Sequence, residues 1–133
     1  MDEQLEALKT KWAESTRIGS EGDARLGAER YARDVLRAPI ADESTALHAQ
    51  RDALRDECRA LAVEYVAANP GLEGRWGTLT LQELVEELSF YRGVGREADQ
   101  WACEAWLLAN YEPQRIGGDG QVTIRRGGKG GAR

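Results

Sequence analysis

The sequence predicts an all-α protein, a small bundle of about five helices ending in a helical hairpin and followed by an extended, Gly-rich basic C-terminal arm. Three observations support this. Apolar residues recur at helical spacing through residues 1–114. Thr80 and Glu83 form a capping box, which marks a helix start, and the composition changes sharply after Pro113. We therefore assign residues 1–114 to an acidic helical bundle domain and residues 115–133 to a flexible basic arm.

Charge is divided unevenly between these two parts. The arm carries five basic residues and one acidic residue, which gives it a charge of +4. Because the formal charge of the whole chain is −5, residues 1–114 carry −9. We expect contacts between the arm and acidic surfaces, and we expect salt to weaken them by screening.

Two helices are predicted before the first proline. The first covers residues 3–17, has a narrow apolar stripe and is expected to end near Gly19. The second covers residues 22–37 and has a shallow face of small and aromatic residues. These are Ala24, Ala28, Tyr31, Ala32 and Val35. Such a face allows a neighbouring helix to approach closely.

The longest helix is predicted over residues 43–69, where Asn69, Pro70 and Gly71 end it. A seam alternates by four and three residues along it, at positions 47, 51, 54, 58, 61, 65 and 68, and Arg51 is its one charged member. At 1.5 Å per residue this helix is roughly 40 Å long. Two interpretations stay open. The helix is either the centre of the bundle, or it also forms a subunit interface in which Arg51 sets register or choice of partner.

The capping box begins a helix over residues 81–92 that has an apolar face and an opposite acidic face. Phe90 projects from the acidic face. An aromatic ring among carboxylates is either covered by another part of the chain or exposed as an anchor for a partner.

The last helix, over residues 96–111, completes the helical hairpin after a corner at residues 93–95. More than half of its circumference is apolar, which requires burial by other helices or a face given to a neighbouring subunit. We expect an interface that includes aromatic, apolar and basic residues of the last three long helices. Its candidate residues are Phe90, Trp101, Trp106, Leu107 and Arg51.

Within the arm, residues 121–125 alternate apolar and polar residues after a Gly-rich turn. Val122 and Ile124 are its apolar pair, and Arg125 and Arg126 follow them. So short a segment is not a stable strand alone, but it is suited to adding to the sheet edge of another molecule. The single Arg-Gly-Gly unit at residues 126–128 also allows weak contact with nucleic acid.

No catalytic residue, metal site or cofactor is predicted. Glu83 and Glu86 have the spacing with which helical nucleotide hydrolases hold magnesium, but Glu97 and Asp99 lie two positions apart and point about 200° from each other. The single histidine excludes the paired His ligands of di-iron bundles. Cys58 and Cys103 are expected to be buried thiols.

These observations favour a non-enzymatic protein–protein interaction or assembly subunit, which associates with itself or joins a larger assembly. By architecture alone it is analogous to the small helical ring proteins that join a phage head to its tail. An acidic inhibitor that mimics nucleic acid is the alternative, and a small all-α metal-dependent nucleotide hydrolase is third. No apolar run approaches the roughly 18 residues of a membrane span. We therefore expect a cytoplasmic protein or a virion component, with no membrane partner.

Overall fold

A computed structural model describes the backbone of residues 1–38, 42–116 and 121–126, and among these the side chains as far as Tyr111. It confirms the all-α fold class and the terminal helical hairpin. The helices are α1 (Glu3–Asp34), α2 (Glu43–Ala68), α3 (Gly71–Trp76), α4 (Leu81–Val94) and α5 (Glu97–Asn110). No helix among the described residues is both long and apolar enough to cross a membrane.

After α5 the backbone continues into a two-stranded antiparallel sheet. Strand β1 (Tyr111–Ile116) pairs with strand β2 (Gln121–Arg126). Tyr111 lies opposite Arg126, so the two ends of the paired segment meet where the chain leaves α5. The strand-like segment of the arm is thus paired with β1 of its own chain, and its addition to the sheet edge of another molecule stays a prediction. Residues 117–120 and 127–133 lie outside the described residues, and the flexibility of the arm stays a prediction.

The chain divides into two compact units whose boundaries fall inside α1 and α2. The hairpin unit is Lys9–Cys58, which contains most of α1 and the first part of α2. The C-terminal unit contains Met1–Leu8 and Arg59–Arg133. Each unit has buried side chains of its own. We describe the two separately.

Helix α1 is continuous, whereas the sequence predicted two helices with a break near Gly19. The structure gives the reason within the hairpin unit, because Gly19 and Gly22 face α2 at close range. A Cβ atom on Gly19 would lie 2.8 Å from Cδ of Arg51, and one on Gly22 would lie 2.5 Å from Cδ2 of His48. The two glycines therefore make room for long side chains of α2 and do not interrupt α1.

The N-terminus of α2 is capped from the other helix of the hairpin unit. Glu29 on α1 accepts hydrogen bonds through Oε1 from the backbone N–H groups of Glu43 (2.9 Å) and Ser44 (3.1 Å). Its Oε2 accepts one from the Ser44 hydroxyl at 2.5 Å. The hydroxyl bond is the main reason that the pKa of Glu29 lies below its ordinary value. A carboxylate at this position satisfies free donors and complements the helix dipole.

The core of the C-terminal unit surrounds α5. Every residue from Asp99 to Tyr111 is buried or half-buried. The rest of the chain therefore covers most of the apolar surface of α5. Of the two interpretations of its sequence, burial by other elements of the same chain applies, rather than a face given to a neighbouring subunit. Residues 71–76, which lie between two predicted helices, form the short helix α3. It buries Leu72 and Trp76, which lie four positions apart on one face.

Gly22 and Gly27 allow a matched test of the close approach of α1 and α2. Alanine at either position gains the same helix propensity, about 1 kcal/mol, but nothing lies within 4 Å of a Cβ atom at Gly27. Since Gly22→Ala must displace the His48 ring, we expect this variant to be less stable than Gly27→Ala by roughly 1 to 3 kcal/mol. The measurement is urea unfolding of both full-length variants. Equal stability would contradict the close packing of α2 on Gly22.

Candidate protein-interaction surface

Two local interactions fix the orientation of α4. At its start, the Thr80 hydroxyl accepts from the Glu83 N–H at 3.2 Å, and Glu83 Oε1 accepts from the Thr80 N–H at 2.9 Å. This is the capping box that the sequence predicts. Along its inner face, Leu84, Leu88 and Tyr91 are buried. The opposite face of α4 must therefore point away from the core.

That opposite face carries an exposed apolar pair. Phe90 is 55% exposed and Val94 is 54% exposed, and a spacing of four residues places them next to each other on the helix. The Phe90 ring is held edge-on to Tyr91, with ring centroids 6.0 Å apart. The sequence left open whether Phe90 is covered, and the structure shows that the chain leaves more than half of it exposed.

Three carboxylates lie on the same side of α4, one to two turns before Phe90. Glu83 accepts from the Thr80 N–H, Glu86 accepts from the Gln82 amide at 3.2 Å, and Glu87 accepts from the Tyr91 hydroxyl at 2.7 Å. Each of these donors is neutral, so the bonds orient the carboxylates and leave their negative charge in place. We call this set the outer α4 surface, defined by Glu83, Glu86, Glu87, Phe90 and Val94.

A network centred on Arg75 holds the helices beneath this surface. Nη2 of Arg75 donates to the Tyr91 hydroxyl and to Oδ1 of Asp99, both at 2.9 Å. Its guanidinium carbon lies 4.4 Å from the ring centroid of Trp76, a cation–π distance. Arg96 forms a second ion pair with Asp99 at 2.6 Å. The network therefore links α3, α4 and α5, and through Tyr91 it reaches Glu87.

The charge of Asp99 is stabilised in this network. Burial raises its pKa, but the hydrogen bond from Arg75 and the charges of Arg75 and Arg96 lower it by more, so the pKa lies below its ordinary value of 3.8. The sequence did not identify Arg75 as important, because the helix that positions it is only six residues long. So short a segment contains too few turns for a recognisable apolar pattern.

Across the hairpin, Arg92 of α4 donates to Oε1 of Glu104 on α5 at 2.6 Å. The Glu104 side chain is 17% exposed, and burial raises its pKa above the ordinary value although Arg92 opposes this. The adjacent Cys103 is fully buried, and burial raises its pKa to about 12. Cys58 and Cys103 are both free and buried, as the sequence predicted.

The other residues expected at an interface are less accessible than Phe90. Trp106 is only 2% exposed. It is a core side chain and not a surface anchor, because α5 is enclosed by its own chain. Trp101 and Leu107 are half-buried for the same reason. Arg51 belongs to the hairpin unit, where its side chain is 14% exposed and pairs with Asp52 at 3.0 Å.

The four candidate residues of the arm lie in β2, where only the backbone is described. Val122 is opposite Arg115, Ile124 is opposite Pro113, and Arg125 is opposite Glu112. Arg126 is opposite Tyr111, whose own side chain is buried at the end of α5. The contacts of these four side chains lie outside the described residues.

Among the described side chains, no group of three or more His, Cys, Asp or Glu residues is arranged to hold a metal ion. The geometry of α4 instead offers an apolar contact beside negative charge.

Comparisons with known proteins add no relative. No family model matches the chain, and neither a curated protein nor a solved structure matches it. The function is therefore argued from the residues of this chain alone.

The Asp99 ion pairs predict a specific dependence on pH. A carboxyl group with a lowered pKa stabilises the fold above its ordinary value of 3.8, and this contribution is lost as the pH falls through the lower, folded-state pKa. We therefore expect Asp99→Asn to destabilise the protein near neutral pH, and we expect its difference from the wild type to shrink as the pH falls below 3.8.

Urea unfolding of the wild type and the variant across this range is the measurement. Asp56→Asn, at an exposed position of α2, is the matched control and should behave like the wild type. If Asp99→Asn lowers the free energy of unfolding by the same amount at neutral and acid pH, then the ionised Asp99 carboxylate does not supply the lost stability.

Proposed function

We propose that this protein is a non-enzymatic assembly subunit whose copies associate through the outer α4 surface. The observation that supports the proposal is the exposure of Phe90 and Val94 on a helix whose other face is part of the core. Large apolar side chains exposed side by side are typical of a contact surface, whereas single exposed ones are common on any protein.

The outer α4 surface is preorganised for binding. The capping box and the Tyr91–Arg75 bond fix α4 at its start and in its last turn, so little conformational entropy is lost when a partner binds. Aromatic residues that insert into a partner contribute more to affinity than most other interface residues. Complete burial of a Phe side chain stabilises by about 1.5 to 3 kcal/mol.

Other exposed apolar residues lie at the end of α1. Tyr31 is 57% exposed, Val35 59% and Leu36 61%. They directly precede residues 39–41, which lie outside the described residues. The α4 surface differs from this cluster in that its exposed apolar pair adjoins carboxylates on the same helix, so it offers a partner two kinds of contact.

The charge distribution favours assembly over mimicry of nucleic acid. A mimic needs unneutralised acids spaced along one surface, but many acids of this protein are paired with arginine. Examples of such pairs are Arg17–Glu21, Arg25–Glu43, Arg33–Asp34 and Arg92–Glu104. The acids of the outer α4 surface extend for little more than one helical turn, and an apolar pair adjoins them.

Phe90→Ser should weaken self-association of the full-length chain. Because Phe90 is 55% exposed in the single chain, association can bury only about half of its side chain, and losing this burial corresponds to a roughly 4- to 10-fold weaker association constant. The measurement is sedimentation velocity over a series of protein concentrations, with far-ultraviolet circular dichroism to show that each variant is folded.

Val85→Ser is the matched control. Val85 is 44% exposed on the same helix, but five positions from Phe90 it lies about 140° around the axis. The control should associate like the wild type. A wild type that stays monomeric at every concentration, or two variants that weaken association equally, would contradict the proposal.

A further inference from the structure

The outer α4 surface has two chemically different halves. Its first half carries the carboxylates of Glu83, Glu86 and Glu87, and its second half carries Phe90 and Val94. The centres of the halves are about seven residues apart, or roughly 10 Å along the helix. A partner that fits must present apolar side chains and positive charges at a similar separation.

The chain contains a segment with this composition. In Gln121–Arg126, the apolar residues Val122 and Ile124 are followed directly by Arg125 and Arg126. The structure describes the segment as extended, so the alternation of a strand places positions 122, 124 and 126 on one face, with position 126 roughly 10 Å from the centre of the apolar pair. Residues 115–133 carry +4 and the preceding residues −9, so the arm of one copy is attracted to the acidic residues of another at distances shorter than the screening length.

We propose that the segment Gln121–Arg126 of a second copy binds the outer α4 surface. Val122 and Ile124 cover Phe90 and Val94, and Arg126 on the same face of the segment lies against the three carboxylates. Arg125 on the other face adds positive charge nearby. The inference rests on the proposed function, because it names the part of the second copy that occupies the same surface.

The occupant comes from another copy because the segment of the same chain does not cover the surface. In the structure β2 is paired with β1, and Arg126 lies opposite Tyr111 at the end of α5. With its own sheet in this position, the chain still leaves Phe90 and Val94 more than half exposed. Each copy thus offers one donor segment and one acceptor surface, and such contacts form a reciprocal pair or a closed ring.

Charge reversal on both sides of the contact tests the inference. The donor variant is Arg125→Glu with Arg126→Glu, and the acceptor variant is Glu86→Arg. Glu86 is chosen because Glu83 is part of the capping box and Glu87 holds the Tyr91 hydroxyl. Glu64→Arg, at an exposed position of α2, is the control for a change of net charge.

Sedimentation velocity of these full-length variants at low salt gives the expected pattern. The donor and acceptor variants each weaken self-association about 3- to 10-fold, and a mixture of the two variants recovers part of the loss, since reversed charges then face each other. Glu64→Arg associates like the wild type. In high salt the differences between all variants shrink.

The outcomes separate this inference from the proposed function. If the charge reversals have no effect while Phe90→Ser still weakens association, copies meet through α4 without the C-terminal segment, and only this inference is overturned. If Glu86→Arg and Glu64→Arg weaken association equally, the effect is one of net charge, and this inference is again overturned. A wild type that is monomeric at every concentration overturns both.

Discussion

Helix α5 has apolar residues around more than half of its circumference, and such a helix is stable in water only where neighbours cover most of its surface. The C-terminal unit meets this requirement, since no residue from Asp99 to Tyr111 is fully exposed. Helix α4 contributes Leu84 and Leu88 to this core. Because α4 turns its apolar stripe towards α5, the residues on its other face are left to solvent, and Phe90 is among them.

The polar contacts around this core have a different role from the apolar ones. Burial of the core supplies most of the stabilisation, but it is not directional. Arg75 forms two hydrogen bonds in fixed directions, to Tyr91 on α4 and to Asp99 on α5, and so specifies how α3 meets the hairpin. Charge-assisted bonds of this kind are stronger and more specific in geometry than neutral ones.

The sequence predicted those elements whose signals are local. The capping box at Thr80 depends on residues three positions apart, and it is present as expected. The bounds of α2 differ from the prediction by one residue, since Asn69 and Pro70 end a helix by their own chemistry. The glycines of α1 were misread as a break, because their role depends on Arg51 and His48, which are distant in sequence.

The candidate site was only partly predictable for the same reason. A helical pattern shows that Phe90 lies on the face opposite Leu84 and Leu88, but whether another segment covers that face is decided by tertiary structure. Trp106 and Phe90 are both aromatic residues near the edges of apolar stripes, yet one is 2% exposed and the other 55%. Composition and spacing do not distinguish these two cases, and only the packing of neighbouring elements does.

The most direct measurement is to identify what lies against position 90 when copies of the chain associate. Phe90 would be replaced by the photoreactive residue p-benzoylphenylalanine in the full-length protein, which would be irradiated at high and low concentration and examined by mass spectrometry. We predict a product with the mass of two chains that forms only at high concentration and whose cross-link joins position 90 to residues 121–126. A product with the mass of one chain at every concentration would contradict association through the outer α4 surface.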